Sequence, residues 1–409
     1  MSLAELPLVF ALVGMALYTV LAGADFGAGF WELTAGQGPD ATRLREHAYH
    51  VIGPVWEANH VWLVFVLTVV WTSYPLAFAS IASTLTVPLF VAAVGIILRG
   101  VAYALHSGTS APWERRVIDT MFSFSSILTP FALGAAVGGI ASQRVPVGNA
   151  AGDLLTSWLN PTSLLIGVLA VAVGAYLAAV YLAADALRQG EPDLEARFRT
   201  RALGASVVAG VLALGGLVIL RTDAPTLYQG LIVGDGLAGL AVSVLAGLVT
   251  LFLVWGRRYT LGRFTAALAV AAIFAGWGLA QRPVLLPGLT VAQAAAPEPT
   301  LIAVVVAVLA GGLILAPSLA LLFRLVLGGR FDPGGAQRAS ATPPAQHTTS
   351  PRGRAGLLLS SAFTCLAVGV GLLSVVEIGW THAVGVVALF GFVVLAFVGL
   401  APADGDPFG

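Results

Sequence analysis

Long apolar runs dominate the sequence, and they predict helices that cross a membrane. Each run reaches the length of about 20 residues that a helix needs to span the hydrocarbon core. A lipid-facing backbone must satisfy its own hydrogen bonds, and the runs lack the alternation that marks barrel strands. The predicted fold is all-α, a polytopic transmembrane helical bundle. The predicted spans are residues 6–33, 50–73, 76–105, 117–142, 162–187, 202–221, 229–255, 263–281, 300–327, 356–378 and 382–401.

The composition supports this assignment. The 409 residues are 58% hydrophobic and 10% charged, whereas a soluble domain is roughly one-quarter charged. The formal net charge is zero, so nothing in it favours nucleic acid as a partner. The single cysteine, Cys365, excludes a disulfide within this sequence. No Cys/His spacing typical of a metal site is present.

The basic residues are all arginines, and they predict the orientation in the membrane. With the spans counted in order, the loops after odd-numbered spans, together with Arg99, hold all but three of the 20 arginines. The positive-inside rule makes these loops cytoplasmic. We therefore expect a multi-pass protein of the cell membrane with its N-terminus outside and its C-terminus in the cytoplasm. The three arginines of the other side are Arg144, Arg221 and Arg282.

One segment of different composition divides the sequence. Residues 328–355 are rich in Gly, Pro, Ser and Thr, a composition that cannot bury a core. We expect a flexible cytoplasmic linker there. It would separate a nine-helix part, residues 1–327, from an appended two-helix segment with a short acidic tail, residues 356–409. The low polar content of the appended helices predicts a position at the periphery of the bundle.

Polar residues inside the predicted spans are the candidate functional residues, because an unpaired charge at the centre of a membrane costs about 3 kcal/mol or more. Asp25 lies in span 1, Arg99 in span 3, and Asp119 at the start of span 4. Glu57 and His60 share one face of span 2. At 1.5 Å per residue from residue 50, Glu57 would lie roughly 10 Å and His60 roughly 15 Å deep. Short loops between neighbouring helices can bring these residues together on the arginine-rich side.

Two kinds of role are open for these residues. A carboxylate and an imidazole on one helix face suit a proton relay, because burial can move both pKa values toward neutrality. Alternatively, Glu57 and Arg99 form an ion pair that only holds the bundle together. Asp25 stands among glycines that allow helices to approach closely, so it could equally be a hydrogen-bonding clamp.

Three flanking residues have simpler explanations. Trp56 is more typical of packing or of the membrane interface than of redox chemistry. Arg115 is a typical topology determinant, and Asp119 is a residue that the helix dipole favours in a first turn. His60 is the one histidine well inside a predicted span, whereas a membrane haem b takes two axial ligands. We therefore expect neither haem nor metal in this chain.

Two polar stretches resemble a known family. "GADFGAGFWEL" (23–33) followed by "IGPVWEANHVWL" (52–63) is similar to the helix-one and helix-two motifs of subunit II of the cytochrome bd-type quinol oxidases. Those motifs read Gly-x-Asp-x-Gly-x-Gly and Pro-x-Trp-Asp-Gly-Asn-x-Val-Trp-Leu. The resemblance covers residues 1–327. It continues with Arg99, the spacing from Arg115 to Asp119, "LNP" at 159–161 and "RTRA" at 199–202.

The sequence departs from the family pattern at several points. Ala22 stands where the family often has a second Asp, and Glu57-Ala58 replaces the usual Asp-Gly. His60 is often Gln or Glu in the family. The family's Trp-Asp segment before helix nine is missing from "GLTVAQAAAPEPTL". With its two extra helices, the chain is identified as a divergent member.

The resemblance implies an architecture and a function. The expected architecture is two four-helix bundles plus one helix. The chain would be the second, haem-free subunit of a quinol:oxygen oxidoreductase in a prokaryotic respiratory chain, supporting a haem-bearing subunit I that holds haem b and haem d. Further implied partners are quinol, membrane lipid, a bound quinone and a small single-helix subunit. The implied proton path consists of Asp25, Glu57 and His60, with Trp56, Asn59, Arg99, Arg115 and Asp119 in supporting or charge-tuning roles.

Two other functions remain open from the sequence. A proton-coupled secondary transporter would use Asp25 and Glu57 to couple protons to a solute, and discontinuous helices with an inverted repeat would favour it. Neither feature is clear in the sequence. A purely structural partner subunit would use the same residues only for packing.

Overall fold

The structure is a computed structural model that describes residues 2–36, 38–52, 56–106 and 112–327. It divides into two compact units, Met1–Pro317 and Ser318–Gly409. The predicted linker, 328–355, lies outside the described residues. The predicted terminal helix pair is described only at residues 361, 364, 365, 368, 380, 384–388, 390–392 and 395.

The described part of the chain is helical almost throughout, with one small hairpin of two antiparallel strands. Each of the first nine predicted spans has a helix as its counterpart. The helices are α1 (Leu6–Leu33), α2 (Pro39–Ile52), α3 (Trp56–Ser73), α4 (Pro75–Thr84), α5 (Thr86–His106), α6 (Pro112–Ala141), α7 (Pro161–Gln189), α8 (Pro192–Asp223), α9 (Pro225–Ile232), α10 (Leu237–Trp255), α11 (Tyr259–Gln281), α12 (Val291–Ala294) and α13 (Glu298–Leu327), and the strands are β1 (Val284–Leu286) and β2 (Leu289–Thr290).

Eight of these helices are long and apolar enough to cross a membrane, counting only the described residues. They are α1, α5, α6, α7, α8, α10, α11 and α13. Helix α3 carries a shorter apolar segment, Asn59–Ser73. The predicted all-α, polytopic membrane bundle is therefore confirmed.

The helix that precedes span 2 was not predicted from the sequence. Residues 39–52 form the helix α2, and α3 is described from Trp56 onward, after the undescribed residues 53–55. Helix α2 buries Ala41, Leu44 and Ala48, which recur at the three- and four-residue spacing of an amphipathic helix. Glu57 follows the undescribed residues 53–55, so its depth of roughly 10 Å counted from residue 50 stays a prediction.

The prediction of one helix over residues 76–105 is wrong, because the chain divides at Leu85 into α4 and α5. Pro88 has no N–H to donate to the carbonyl of Thr84, which interrupts a continuous helix at this point. Likewise, α10 begins at Leu237, after the short helix α9, rather than at residue 229. Both breaks shorten the membrane-spanning helix that follows them.

The largest core cluster brings α1, α2, α7, α8 and α11 together. Within this cluster, the backbones of α1 and α7 approach each other closely. A Cβ atom built on Gly27 would lie 2.0 Å from the carbonyl oxygen of Gly174, so no side chain fits at Gly27 without moving a helix. Small residues at a helix interface permit this kind of contact. Helix α1 is thereby fixed at the centre of the bundle.

Ionic contacts close one end of the bundle, which we call the Arg43 end. Arg43 Nη2 lies 2.6 Å from Glu191 Oε2 and so joins α2 to the start of α8. Arg45 Nη2 donates to the carbonyl of Gly36, just after α1. Arg199 Nε donates to the carbonyl of Val254 in the last turn of α10. Several of the arginine-rich loops of the sequence thus meet at one end.

A second set of contacts closes the opposite end, which we call the Arg144 end. Arg144 Nη2 lies 2.7 Å from Asp223 Oδ1, at the end of α8. Thr162 Oγ1, at the start of α7, donates to Asp223 Oδ2 at 2.6 Å. Arg282 Nη2 lies 2.6 Å from Glu5 Oε1, at the start of α1. Helix α1 therefore runs from the Arg144 end to the Arg43 end.

Candidate functional site

The most deeply buried charges form an ion pair between α5 and α1. Arg99 and Asp25 both have side chains that are 0% exposed. Arg99 Nη2 donates to Asp25 Oδ1 at 2.7 Å, and Nε donates to Oδ2 at 3.1 Å. Parallel hydrogen bonds of this kind are the strongest arrangement of an arginine with a carboxylate. Nη2 also donates to the backbone carbonyl of Asp25 at 2.7 Å.

Hydroxyl groups and aromatic rings complete the surroundings of the pair. Tyr103, one turn after Arg99, donates its hydroxyl to Asp25 Oδ1 at 3.1 Å. Arg99 Nη1 donates to Ser126 Oγ of α6. The rings of Phe122 and Phe26 lie 4.1 and 4.9 Å from Arg99 Cζ, within the range of cation–π attraction. Three helices therefore supply the contacts that compensate these two buried charges.

Gly29 explains how α6 comes close enough to take part. A Cβ atom on Gly29 would lie 2.0 Å from Ser126 Oγ and 3.1 Å from the ring of Phe122. Only glycine leaves room for both groups, so Ser126 can reach Arg99. The Gly-x-Gly sequence after Asp25 therefore has a direct packing function on both sides of α1.

His60 and Asn59 of α3 pack against the same part of α1. The His60 ring meets the rings of Tyr18 and Phe26 edge to face, with centroid distances of 6.0 and 6.1 Å. Asn59 Nδ2 donates to the carbonyl of Leu21 at 3.3 Å. The Phe26 ring contacts both His60 and Arg99, so the imidazole and the ion pair share one aromatic neighbour.

The other residues of the predicted site are placed less centrally. Trp56 and Glu57 belong to α3, and their side chains lie outside the described residues. Arg115 and Asp119 are exposed on the first turns of α6. The predicted alternative of a Glu57–Arg99 pair rests on one of the undescribed side chains, whereas the described partner of Arg99 is Asp25.

Comparison with known proteins identifies the family of this chain. Residues 3–326 match the family model of cytochrome bd terminal oxidase subunit II. The chain belongs to this family. The resemblance expected from the motifs around Asp25 and Asn59 is thereby confirmed.

Individual subunit II proteins resemble the chain at moderate identity. Cytochrome bd ubiquinol oxidase subunit 2 of Bacillus subtilis is 28% identical over 133 residues, covering 32% of this chain and 38% of that protein. Cytochrome bd-I ubiquinol oxidase subunit 2 of Escherichia coli is 26% identical over 222 residues, covering 51% and 55%. The putative cytochrome bd menaquinol oxidase subunit II of Bacillus subtilis is 24% identical, covering 53% and 62%. The chain thus matches less than two thirds of these relatives.

A solved structure extends the likeness over a longer range. A chain of the bd oxidase from Geobacillus thermodenitrificans superposes with a TM-score of 0.64 and 27% sequence identity. The match covers 80% of this chain and 99% of the solved one. The subunit II fold therefore accounts for most of the chain.

Three polar residues close to the Arg99–Asp25 pair on α1, α5 and α6 were not identified from the sequence. Tyr103 and Ser126 carry no charge, and only their contacts with the ion pair reveal them. Glu32 lies seven residues after Asp25, a spacing that repeats a helix face every two turns. Its Oε1 atom is buried and has no hydrogen-bond partner among the described residues. The i,i+7 spacing was the available signal for Glu32.

A second buried polar cluster lies at the Arg43 end of this subunit II fold. Asp185 of α7 is 2% exposed, and its carboxylate accepts hydrogen bonds from Arg188 and Gln189. His47 Nε2 of α2 lies 3.2 Å from the carbonyl oxygen of Leu182 and 3.9 Å from Asp185 Oδ2. The cluster ties the amphipathic helix α2 to the bundle.

Among the described residues, no three His, Cys, Asp or Glu side chains gather into a metal site. His47 and His60 contact different sets of residues, so these two histidines do not form the facing pair that a membrane haem b takes.

Proposed function

We propose that this chain is the second, haem-free subunit of a bd-type quinol:oxygen oxidoreductase and that it contributes a proton path to the complex. Family membership supports the assignment to a bd-type oxidase. The fully buried pair of Arg99 with Asp25, a residue of the helix-one motif, carries the functional part of the proposal. Buried charges in a membrane bundle are maintained at a cost, which favours a functional role for them.

The pair suits a role in controlling charge along the path. Both oxygens of Asp25 accept hydrogen bonds from Arg99, and Oδ1 accepts a further one from Tyr103. With these donors in place, Asp25 serves as the counter-charge of Arg99. We therefore assign Asp25 and Arg99 to setting the electrostatic potential of the path. Glu57 and His60 remain the proposed carriers on α3, with Trp56, Asn59, Arg115 and Asp119 in support.

The path is proposed to begin at the Arg43 end. Arginine-rich loops meet there, and the positive-inside rule assigns such loops to the cytoplasm. The N-terminus would then lie outside and the C-terminus inside. Protons taken from the cytoplasm for oxygen reduction would make turnover electrogenic even without pumping.

The redox chemistry is assigned to partners rather than to this chain. In the proposed complex, subunit I holds haem b and haem d, and these groups supply the electron transfer from quinol to oxygen. A small single-helix subunit and a bound quinone are further proposed components.

A purely structural role is the second candidate, and one observation favours it. The contacts of Arg99 and Asp25 join α1, α5 and α6, so the pair could serve assembly alone. The transporter hypothesis has lost its main support, because the chain belongs to an oxidase subunit family.

The test is reconstitution of the complex with its haem-bearing partner. We expect quinol-driven oxygen consumption, with all haem absorbance retained by the partner when the subunits are separated. Glu57→Gln should slow turnover about 100-fold or more, the effect of losing a positioned proton-transfer group, and Glu57→Asp should restore part of the rate. Stoichiometric haem on the isolated chain would contradict the haem-free assignment. Unchanged turnover and charge movement in Glu57→Gln would contradict the relay and leave the structural role.

A further inference from the structure

Glu32 is a second carboxylate on the buried face of α1, and its surroundings differ from those of Asp25. Its Oε1 atom is buried without a hydrogen-bond partner among the described residues. We propose that Glu32 is a proton-carrying residue between the Arg43 end and the Arg99–Asp25 pair. This inference rests on the proposed function and adds to it a residue that the sequence motifs did not single out.

The helix geometry places Glu32 in line with the ion pair. Asp25 and Glu32 are two turns apart on α1, a rise of about 10 Å along one face. Gly29 lies between them on that face, where its missing side chain leaves room for α6. Since α1 runs toward the Arg43 end, Glu32 lies on the side of the ion pair from which protons would come.

Helix α6 repeats the same spacing in the opposite direction. Ser126, which contacts Arg99, and Asp119 are also seven residues apart. Helix α6 ends beside Arg144, so its exposed residue Asp119 lies toward the Arg43 end. Two antiparallel helices therefore place Glu32 opposite the turn of Asp119, with the ion pair one step further in.

Charged side chains from four helices surround Glu32. Arg99 of α5, Asp119 of α6, Arg45 of α2 and Asp25 of α1 all act on its carboxylate. Arg45 Nε also donates to the backbone carbonyl of Glu32 at 3.4 Å. On the side of α8, the guanidinium of Arg201 lies 5.6 Å from the ring of Trp31. Glu32 thus stands between an exposed acid and a buried cation.

The unpartnered oxygen favours a carrier over a structural group. A buried carboxylate oxygen without a donor loses the hydration of its charged form, whereas each oxygen of Asp25 has a donor in place. A carboxyl group with one oxygen free can accept a proton there and release it again. In the proposed step, a hydronium ion in the solvated region around Asp119 gives up a proton: one of its O–H bonds breaks as an O–H bond forms at Glu32. The Glu32 O–H bond then breaks as the proton passes to the next proposed carriers, Glu57 and His60 of α3, and Glu32 returns to its carboxylate form.

The experiment compares Glu32→Gln with a matched surface change in the purified oxidase complex. Asp193→Asn is the control, because Asp193 is an exposed acid at the same end, in the first turn of α8. Quinol-driven oxygen consumption is measured across a range of pH, together with charge movement in vesicles. Glu32→Gln should reduce both about 10-fold or more, and Asp193→Asn should match the wild type.

Each outcome separates the two proposals. A wild-type complex that does not oxidise quinol would contradict the proposed function itself. An active wild type whose Glu32→Gln variant keeps the same rate, pH profile and charge movement would contradict only the role of Glu32. If Glu32→Gln fails to assemble, Glu32→Asp keeps the acid at shorter reach. The Glu32→Asp complex should then turn over more slowly than the wild type and show a larger solvent deuterium isotope effect. Wild-type values for both the turnover rate and the isotope effect would overturn the assignment.

Discussion

Arg99 donates two hydrogen bonds to Asp25, from Nε and Nη2 on one edge of its guanidinium, in a part of the bundle where neither side chain is exposed. The pair joins α5 to α1, and the contact of Arg99 with Ser126 adds α6. In a low-dielectric interior such a pair gains little over a well-packed apolar pair, but it is strongly destabilising to break. The arrangement therefore fixes where one positive and one negative charge stand within the membrane bundle.

Removing one charge of the pair should be worse than removing both. Asp25→Asn leaves a buried cation without its counter-charge, and we expect a loss of about 3–5 kcal/mol. Adding Arg99→Gln to Asp25→Asn should recover part of that loss, because no charge then remains buried. The measurement is a double-mutant cycle on the unfolding of the detergent-solubilised complex. Strictly additive losses would show that the two residues are not coupled.

Ser126→Ala should weaken the same site from the side of α6. The variant deletes the acceptor of Arg99 Nη1, and loss of a hydrogen bond to a buried charged group costs about 1–3 kcal/mol. Ser206→Ala is the matched control, since the Ser206 hydroxyl bonds only to carbonyls of its own helix among the described contacts. Thermal unfolding of the two variants side by side provides the test. Equal losses would contradict the specific role of Ser126.

The sequence predicted the spanning helices better than the breaks between them. Apolar runs located a helix for each of the first nine spans, because lipid imposes length and composition on such segments. Helix α2 was missed, since its amphipathic pattern of Ala41, Leu44 and Ala48 was taken for a loop and the beginning of the next span. The division at Leu85 depends on one missing donor, at Pro88, within an otherwise apolar run.

The charged residues of the site were also easier to identify than their partners. Asp25 and Arg99 stood out because ionisable groups are rare inside spans. The sequence analysis named Glu57 as an ion-pair partner of Arg99, whereas the described partner is Asp25. Uncharged partners such as Ser126 and Tyr103 follow from helix rotation and from the close approach at Gly29, which a single sequence does not determine.

The Glu5–Arg282 contact at the Arg144 end should make a small, acid-sensitive contribution to stability. A hydrogen bond from the backbone N–H of Ser2 and the charge of Arg282 hold the pKa of Glu5 below its usual value. A lowered folded-state pKa stabilises the fold above the unfolded pKa of about 4.5 and loses that effect as the pH falls through the folded-state pKa. The wild type should therefore exceed Glu5→Gln in stability near neutral pH, with the difference vanishing in acid. A difference independent of pH would contradict the assignment.

Gly29 and Gly210 should respond in opposite ways to the same added methyl group. Gly29→Ala places a Cβ atom 2.0 Å from Ser126 Oγ, whereas a Cβ on Gly210 of α8 meets nothing within 4 Å. Alanine favours a helix over glycine by about 1 kcal/mol, so Gly210→Ala should be neutral or slightly stabilising. Gly29→Ala must push α1 and α6 apart and loosen the contact of Ser126 with Arg99, and we expect a loss of about 1–3 kcal/mol, as for overpacked cores. Melting temperatures of the two alanine variants decide the matter, and a Gly29→Ala protein as stable as Gly210→Ala would show that α6 does not pack on α1 as described.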